Sequence, residues 1–368
     1  MNSLDILIPI ENWFSSTLKL PLVIAGPCSA ESKEQLLSTA IELNALDKIS
    51  VFRCGIWKPR TRPNCFEGVG EDGLKWLQEV KEKTNFKVAV EVANTSHVEM
   101  ALKYRVDILW IGARTTVNPF SVNEIAVALK GVDIPVMVKN PVNPDLQLWI
   151  GALERFYDVG INKLAAIHRG FNTYGKKVYK NAPLWEIPIE LKLKCPNLPI
   201  IIDPSHLSGS RDLLFEVAQK GLDLNMSGLI IESHNNPEKA LSDAKQQITP
   251  YDLAVLLGKL KFRRESINGA DTNNELEQYR SIIDDLDDQI LNALTKRMQI
   301  CEQIGEYKYN NDITIFQLKR WNKIIESRVN KGLSLGLERG FLQTLLELVH
   351  EESIQVQINK MNELTKKK

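Results

Sequence analysis

The sequence predicts a (β/α)8 TIM barrel followed by an all-α domain of three helices, and two observations carry that prediction. In residues 1–260, eight short apolar runs each stop at a polar or charged residue, with room for a helix before the next begins. Beyond residue 275 no strand-like alternation remains, and apolar residues recur at helical spacing. Strand-helix alternation builds βαβ units on a parallel sheet, and eight such units fit a closed barrel.

In order, the runs are LVIAG ending near Cys28, ISVF at Arg53, KVAV at Glu91, DILWIGA at Arg114, IPVMV at Lys139, KLAAI at His168-Arg169, LPIII at Asp203 and GLIIE at Glu232. In a barrel the carboxyl ends of the strands and the loops after them form one face. The charged stops are therefore expected to converge. Residues 261–274, within the polar stretch KFRRESINGADTNNE, read as a linker. From Glu275 to about Tyr309 the residues Leu276, Ile283, Leu286, Ile290, Leu294, Ile300 and Ile304 mark one long helix, which Asn310, Asn311 and Asp312 break. Two more helices are expected over about 317–331 and 337–360, separated by KGLSLG. One long helix with two shorter ones cannot easily enclose its own apolar stripe, which predicts a homodimer through these helices.

A chain of 368 residues holds a barrel of roughly 250 residues and one smaller domain, here 275–368. Its 46 basic and 46 acidic residues cancel, so no global field draws it to nucleic acid or to an anionic membrane. No run approaches the roughly 20 apolar residues of a spanning helix, and MNSLDILIPIENW lacks a basic leader region, so a soluble, cytoplasmic protein is expected. The stretch DILIPI is too short for a separate regulatory domain. Cys28, Cys54, Cys65, Cys195 and Cys301 are odd in number and lack metal-finger spacing, which argues against a disulfide framework.

Arg53, Lys58, Arg60, Arg114, Lys139 and Arg169 all fall at or just after strand ends two, four, five and six. Any one alone reads as a surface cation paired with a nearby carboxylate. Six at one mouth would repel one another unless that mouth binds highly charged anions, and phosphate esters suit forked Arg and point-charge Lys donors. Cys28, His206, Glu232 and Asp243 fall at or after strands one, seven and eight, neighbours in a closed barrel. One thiolate, one imidazole and two carboxylates suit a borderline divalent ion such as Mn2+, Fe2+, Co2+ or Zn2+. Cys28 by itself reads as a small buried hydrophobe, and His234 is a rival histidine that could support the site from behind.

The strings GPCSAES, FRCGIWKPRTRP, IGAR, VMVKNP, the HRG turn, DPSH and ALSDAKQQIT resemble, in order and spacing, the compact type I beta 3-deoxy-D-arabino-heptulosonate-7-phosphate (DAHP) synthases. That family condenses phosphoenolpyruvate with erythrose 4-phosphate and releases phosphate. The resemblance implies a phosphoenolpyruvate site at Arg53, Lys58, Arg114, Lys139 and Arg169. It implies aldose phosphate contacts from Lys58, Pro59, Arg60 and Thr61, and a metal on Cys28, His206, Glu232 and Asp243. Chemistry agrees with this assignment, because carbon-carbon bond formation at an aldehyde needs a Lewis acid for the charge growing on oxygen. Lys58, touching both substrates, is the expected proton donor. The chain departs from the pattern at Arg62, where relatives usually carry Ser. The octulosonate-8-phosphate synthases, which take a pentose phosphate, are the nearest competitor but read KANR in place of KPRT.

In the long helix Arg297 and Lys308 lie eleven residues apart, about three turns, and so share a face. Arg280 lies about 100 degrees round from Arg297 and is expected to serve the site of a partner copy. Arg320 starts the second helix, and Ser353 and Gln357 stand one turn apart on the third. The segment LEQYRSIIDDLDDQILNALTKRMQICEQIGEYK, with Arg280, Leu286-Asp287, Arg297 and Gly305 to Lys308, resembles the all-helical chorismate mutases. That family converts chorismate to prephenate without covalent help from the protein. The resemblance implies that Arg280 of a partner copy, Arg297 and Arg320 clamp two carboxylates, while Lys308 and Gln357 stabilise charge on the ether oxygen. Gln317 and Trp321 stand where many members carry an Asp and a Glu that contacts the substrate hydroxyl. Two readings follow for the helical domain: a working mutase that also feeds back on the barrel when it binds prephenate, or a sensor of prephenate or chorismate alone.

Overall fold

The computed structural model describes residues 4, 6–58, 65–175, 178–263 and 270–366. The chain divides into two compact units, Met1–Glu265 and Ser266–Lys368. In the first unit eight parallel strands close into a barrel in sequence order: β1 (Leu22–Gly26), β2 (Val51–Cys54), β3 (Lys87–Val92), β4 (Ile108–Ile111), β5 (Val136–Lys139), β6 (Leu164–His168), β7 (Ile200–Ile202) and β8 (Gly228–Glu232). The closing pair β8 and β1 aligns Gly26 with Glu232.

Between the strands run α1 (Lys33–Asn44), α2 (Glu71–Lys83), α3 (Thr95–Lys103), α4 (Ala113–Thr116), α5 (Pro119–Ala128), α6 (Leu146–Asp158), α7 (Glu186–Lys194), α8 (Pro204–Ser208) and α9 (Leu214–Asp223), with α10 (Pro250–Lys259) after β8. Side-chain caps set several starts: Ser32 accepts from Gln35 N, Asp145 from Leu148 N, and Thr249 from Asp252 N. Each satisfies a backbone donor that the first turn leaves unpaired.

Two apolar layers hold the barrel. The outer one lies between strands and helices and includes Val23, Phe52, Val90, Leu109, Val138, Ile202 and Ile231. The inner one contains Ile24, Val51, Ala89, Ile108, Met137, Ala165, Ile201 and Ile230. Ile10, Trp13 and Leu18 belong to the same inner cluster, so the segment before β1 plugs the interior. Strand side chains alternate between these layers. Two residues beyond Val51, Ala89, Met137, Ile201 and Ile230 come Arg53, Glu91, Lys139, Asp203 and Glu232. The charged stops thus follow the inner register, and their inward direction is a consequence of period two.

In the second unit α11 (Ala270–Asn310) packs along α13 (Arg339–Lys366), and α12 (Leu318–Ser334) packs on α13. Helix α11 begins inside the stretch read as linker, and residues 264–269 of that stretch lie outside the described residues. Helix α12 runs three residues past its expected end. Gly332 is helical and packs on the Leu342 side chain, and it is Gly336, at φ +85°, that stops the helix in a conformation costly for other residues. Cys301, Val329, Leu342, Ser353 and Gln357 are buried between the helices. Ile283, Leu286, Ile290 and Ile300 on α11 are each 50% or more exposed. No described helix is long and apolar enough to cross a membrane.

Candidate active sites

At the carboxyl ends of β1 and β8, Cys28, Glu232 and Asp243 offer ligand atoms that all lie within 4.8 Å of one another. Every one of the three has its other polar atoms tied down. Glu232 Oε2 accepts from Gln246 Nε2 at 2.7 Å, while the buried Oε1 receives no hydrogen bond. Asp243 Oδ1 takes the Lys180 ammonium at 2.9 Å, leaving Oδ2 3.4 Å from Cys28 Sγ. Cys28 N donates to Gln247 Oε1 at 2.9 Å. Asp243 sits at φ +48°, a left-handed conformation that Asp tolerates better than most residues.

His206, the fourth expected ligand, stands at the edge of this cluster with Nε2 3.7 Å from Glu232 Oε1. Asp203 places it: the carboxylate caps α8 by accepting from His206 N and lies 2.8 Å from Nδ1. With Nδ1 turned to a carboxylate, Nε2 is the nitrogen left for a ligand. The donor set, the bare Glu232 oxygen and the oriented imidazole fit a divalent ion. His234 does not join them, because its Nδ1 accepts from Asn236 N and its Nε2 faces Glu31 at 3.5 Å.

Four of the expected cations, Arg53, Lys58, Lys139 and Arg169, gather at the same mouth. Arg53 is buried, with one guanidinium nitrogen 3.4 Å from Glu232 Oε1 and another donating to the Cys28 carbonyl at 3.3 Å. Lys58 Nζ lies 3.0 Å from both Cys28 O and Cys28 Sγ. Lys139 Nζ, also buried, meets Asp203 Oδ2 at 2.9 Å. Trp110 forms the floor, 5.1 Å from the Arg53 guanidinium and 6.0 Å from Lys139 Nζ. Arg169 is fixed by Asn140, which accepts from its backbone N–H at 2.7 Å, and by Asn181, which accepts from its guanidinium at 3.0 Å. Arg114 is exposed in α4, one short step beyond β4, and its charge reaches Arg169. Pro59, Arg60, Thr61 and Arg62 lie outside the described residues.

The electrostatics follow from burial among unlike charges. Burial works against the Asp203 carboxylate, but His206, Lys139 and Arg53 outweigh it and hold the group well below the ordinary range. Glu232 and Asp243 are also lowered against burial, in both cases with His206 as the largest favourable charge. Burial, reinforced by Glu232, pushes the Cys28 thiol up to about 12 despite the neighbouring Lys58. Glu91 accepts from Trp110 Nε1 at 2.9 Å, and its charge favours protonated Arg53, Lys58 and Arg169. Asp203 as a positioning carboxylate, Asn140, Lys180 and Gln246 were missed as site residues. Each lies in or beside a singled-out string, and a search for acceptors adjoining the ligands would have found Asp203.

A second constellation lies on the helical unit. Arg297 donates to Ser353 Oγ and to Val349 O, the latter at 3.2 Å. Lys308 Nζ donates to Gln357 Oε1 at 3.0 Å and to Ile315 O at 2.6 Å, and Gln357 Nε2 donates to Ser353 O at 3.0 Å. Gly305 permits this closeness, since a Cβ there would sit 3.0 Å from Gln357 Cα. Arg320 is exposed on the first turn of α12. Arg280 is exposed and pairs with Glu277 at 2.5 Å, so within one chain it does not join the others.

Comparison with known proteins agrees with both halves. Residues 18–266 match the DAHP synthetase I family model, and residues 279–358 match chorismate mutase type II. The phospho-2-dehydro-3-deoxyheptonate aldolase of Thermotoga maritima is 34% identical over 226 residues, covering 61% of this chain and 64% of the relative. This chain therefore spans slightly less than two thirds of that relative's length. A 2-dehydro-3-deoxyphosphooctonate aldolase of Geotalea daltonii is 28% identical over 262 residues, covering 66% of this chain and 92% of the relative. The crystal structure of the Thermotoga maritima phospho-2-dehydro-3-deoxyheptonate aldolase (DAHP synthase) superposes with a TM-score of 0.59 at 32% identity, over 65% of this chain and 67% of that one. Because the first model alone spans more than half of the 368 residues, the chain belongs to the DAHP synthetase I family, with residues 279–358 after the barrel matching the chorismate mutase type II model.

Proposed function

We propose that the barrel condenses phosphoenolpyruvate with erythrose 4-phosphate to DAHP and phosphate, and that the helical unit rearranges chorismate to prephenate. The observation that carries the first half is the ring of Arg53, Lys58, Lys139 and Arg169 around a mixed thiol, imidazole and carboxylate cluster at one barrel mouth. Arg53, Lys58, Arg114, Lys139 and Arg169 hold the phosphate and carboxylate of phosphoenolpyruvate. Cys28, His206, Glu232 and Asp243 hold a divalent ion, which when bound supplies a Lewis acid for the aldehyde oxygen. Burial works against the Lys58 charge, yet Cys28, Glu232 and Glu91 together outweigh it, so Lys58 stays an ammonium able to deliver a proton. Phosphate release from phosphoenolpyruvate and erythrose 4-phosphate, measured with and without chelator, tests this reading. Release with a pentose phosphate instead would favour the octulosonate branch named by the 28% identical relatives.

For the helical unit, Arg297 and Lys308 supply cations for the carboxylates and ether oxygen of chorismate, joined by Arg320 and by Arg280 of a second copy. The exposed apolar face of α11 supports that second copy, because isolated helices rarely leave such a stripe in water. Trp321 and Gln317 favour the alternative, a prephenate or chorismate sensor without turnover. Chorismate consumption by the full chain separates the two. Prephenate bound here is proposed to restrain the barrel, and a chain ending at residue 265 should keep its condensation rate while losing that inhibition. Equal inhibition of both forms would end the feedback claim.

A further inference from the structure

His350 lies on α13 three residues before Ser353 and seven before Gln357, on the stripe that faces the cations of α11. Its ring stacks on Trp321 of α12, centroid to centroid 3.8 Å at 15°, and meets Phe316 at 6.2 Å. Its Nε2 is buried and has no hydrogen-bond partner. A buried nitrogen left bare beside a cluster of donors is expensive unless a ligand satisfies it.

The other polar groups of the cluster are committed or of the wrong kind. Arg297 and Lys308 only donate. Gln357 Oε1 already accepts from Lys308, and Ser353 Oγ accepts from Arg297 while donating to Val349 O. A dicarboxylate seated on these cations is well served at its acids, but a hydroxyl on its ring would need an acceptor that they do not offer. Burial first, and then the charges of Arg297 and Lys308 on α11, lower the His350 pKa, so the ring stays neutral and keeps one lone pair. The Trp321 indole, in the position where the resemblance led to an expected carboxylate, holds the ring plane instead.

We infer that His350 Nε2 accepts a hydrogen bond from the ring hydroxyl of chorismate, a task that the Trp321 stack positions it to perform. The inference rests on the mutase reading of this unit. Its test uses the full chain and His350→Phe, which keeps an aromatic face on Trp321 and removes the nitrogen. With this variant kcat/KM for chorismate should fall about tenfold, while affinity for an analogue lacking the ring hydroxyl should change less than about twofold. His350→Gln, which restores an acceptor, should recover part of the loss. Equal losses on both ligands would mean a packing role alone, and no loss would remove His350 from the site; either result overturns the inference while leaving the mutase reading intact. If the wild-type chain neither binds nor consumes chorismate, or if Arg297→Ala changes neither, the mutase reading itself fails and the inference falls with it.

Discussion

His168 ends β6 immediately before Arg169, fully buried between Trp149, Phe171 and Trp185 at centroid distances of 6.4, 5.7 and 5.4 Å. Burial lowers its pKa from 6.5 to about 3, with only partial compensation from the Pro183 backbone and the Asp203 charge. The unfolded chain therefore binds a proton below pH 6.5 that the folded chain refuses until about pH 3. Stability is complete above 6.5 and drains as pH falls through that window, at about 1.4 kcal/mol per unit. At pH 5 this amounts to about 2 kcal/mol, and at pH 3 and below to about 5 kcal/mol. Urea unfolding of wild type and His168→Leu at pH 7 and pH 5, with chelator present and tryptophan fluorescence as the signal, isolates the contribution. Six of the seven tryptophans precede residue 260, so the signal reports chiefly on the barrel. The wild type should lose about 2 kcal/mol more than the variant between the two pH values, whatever the variant's stability at pH 7. Equal losses would show that the ring is protonated in the folded barrel, and the dry aromatic box would have to be abandoned.

Other perturbations separate the parts of the two sites. Asp203→Asn removes the carboxylate that orients His206 and should weaken divalent-ion affinity about 10- to 100-fold, read by competition with a metallochromic chelator. Lys139→Met leaves the buried Asp203 short of its ammonium and should destabilise the barrel by about 3–5 kcal/mol in urea melts. Chelation should abolish phosphate release and leave chorismate consumption untouched, since the Arg297 and Lys308 cluster holds no metal-binding set among the described residues. Under the proposed dimer, Ile290→Asp on the exposed face of α11 should leave a monomer in sedimentation and lower chorismate turnover together, because Arg280 pairs with Glu277 in its own chain.

The strand positions were legible because a buried parallel strand must be an apolar run, and its end must change character where it meets solvent or ligand. Arg53, Lys139, Asp203 and Glu232 could be read as strand ends for that reason. Their inward direction also follows from sequence once Val51, Met137, Ile201 and Ile230 are known to face the interior. Contacts between distant loops could not be read the same way. Lys180 reaches Asp243 across 63 residues and Gln247 reaches Cys28 across 219, and no local period announces either pairing. The glycines of KGLSLG misled for a related reason: Gly332 serves packing against Leu342 and only Gly336 takes the helix-ending φ, a distinction set by tertiary contact.

Under the proposed function the two sites differ in how far one chain completes them. In the barrel, three cations already have anionic or backbone partners: Arg53 has Glu232, Lys139 has Asp203, and Lys58 has the Cys28 carbonyl. These contacts fix long side chains before any ligand arrives, which reduces the ordering that binding must supply. On the helices, Arg297 and Lys308 are similarly fixed, by Ser353 and Gln357. Arg280 and Arg320, by contrast, stand exposed on helix surfaces, and Arg280 pairs with Glu277 one turn away. An exposed i,i+3 pair is worth a few tenths of a kcal/mol and yields easily to a better anion. If a second copy completes the helical site as proposed, the barrel site should tolerate dilution to the monomer, whereas the helical site should lose activity with the same concentration dependence as that dimer.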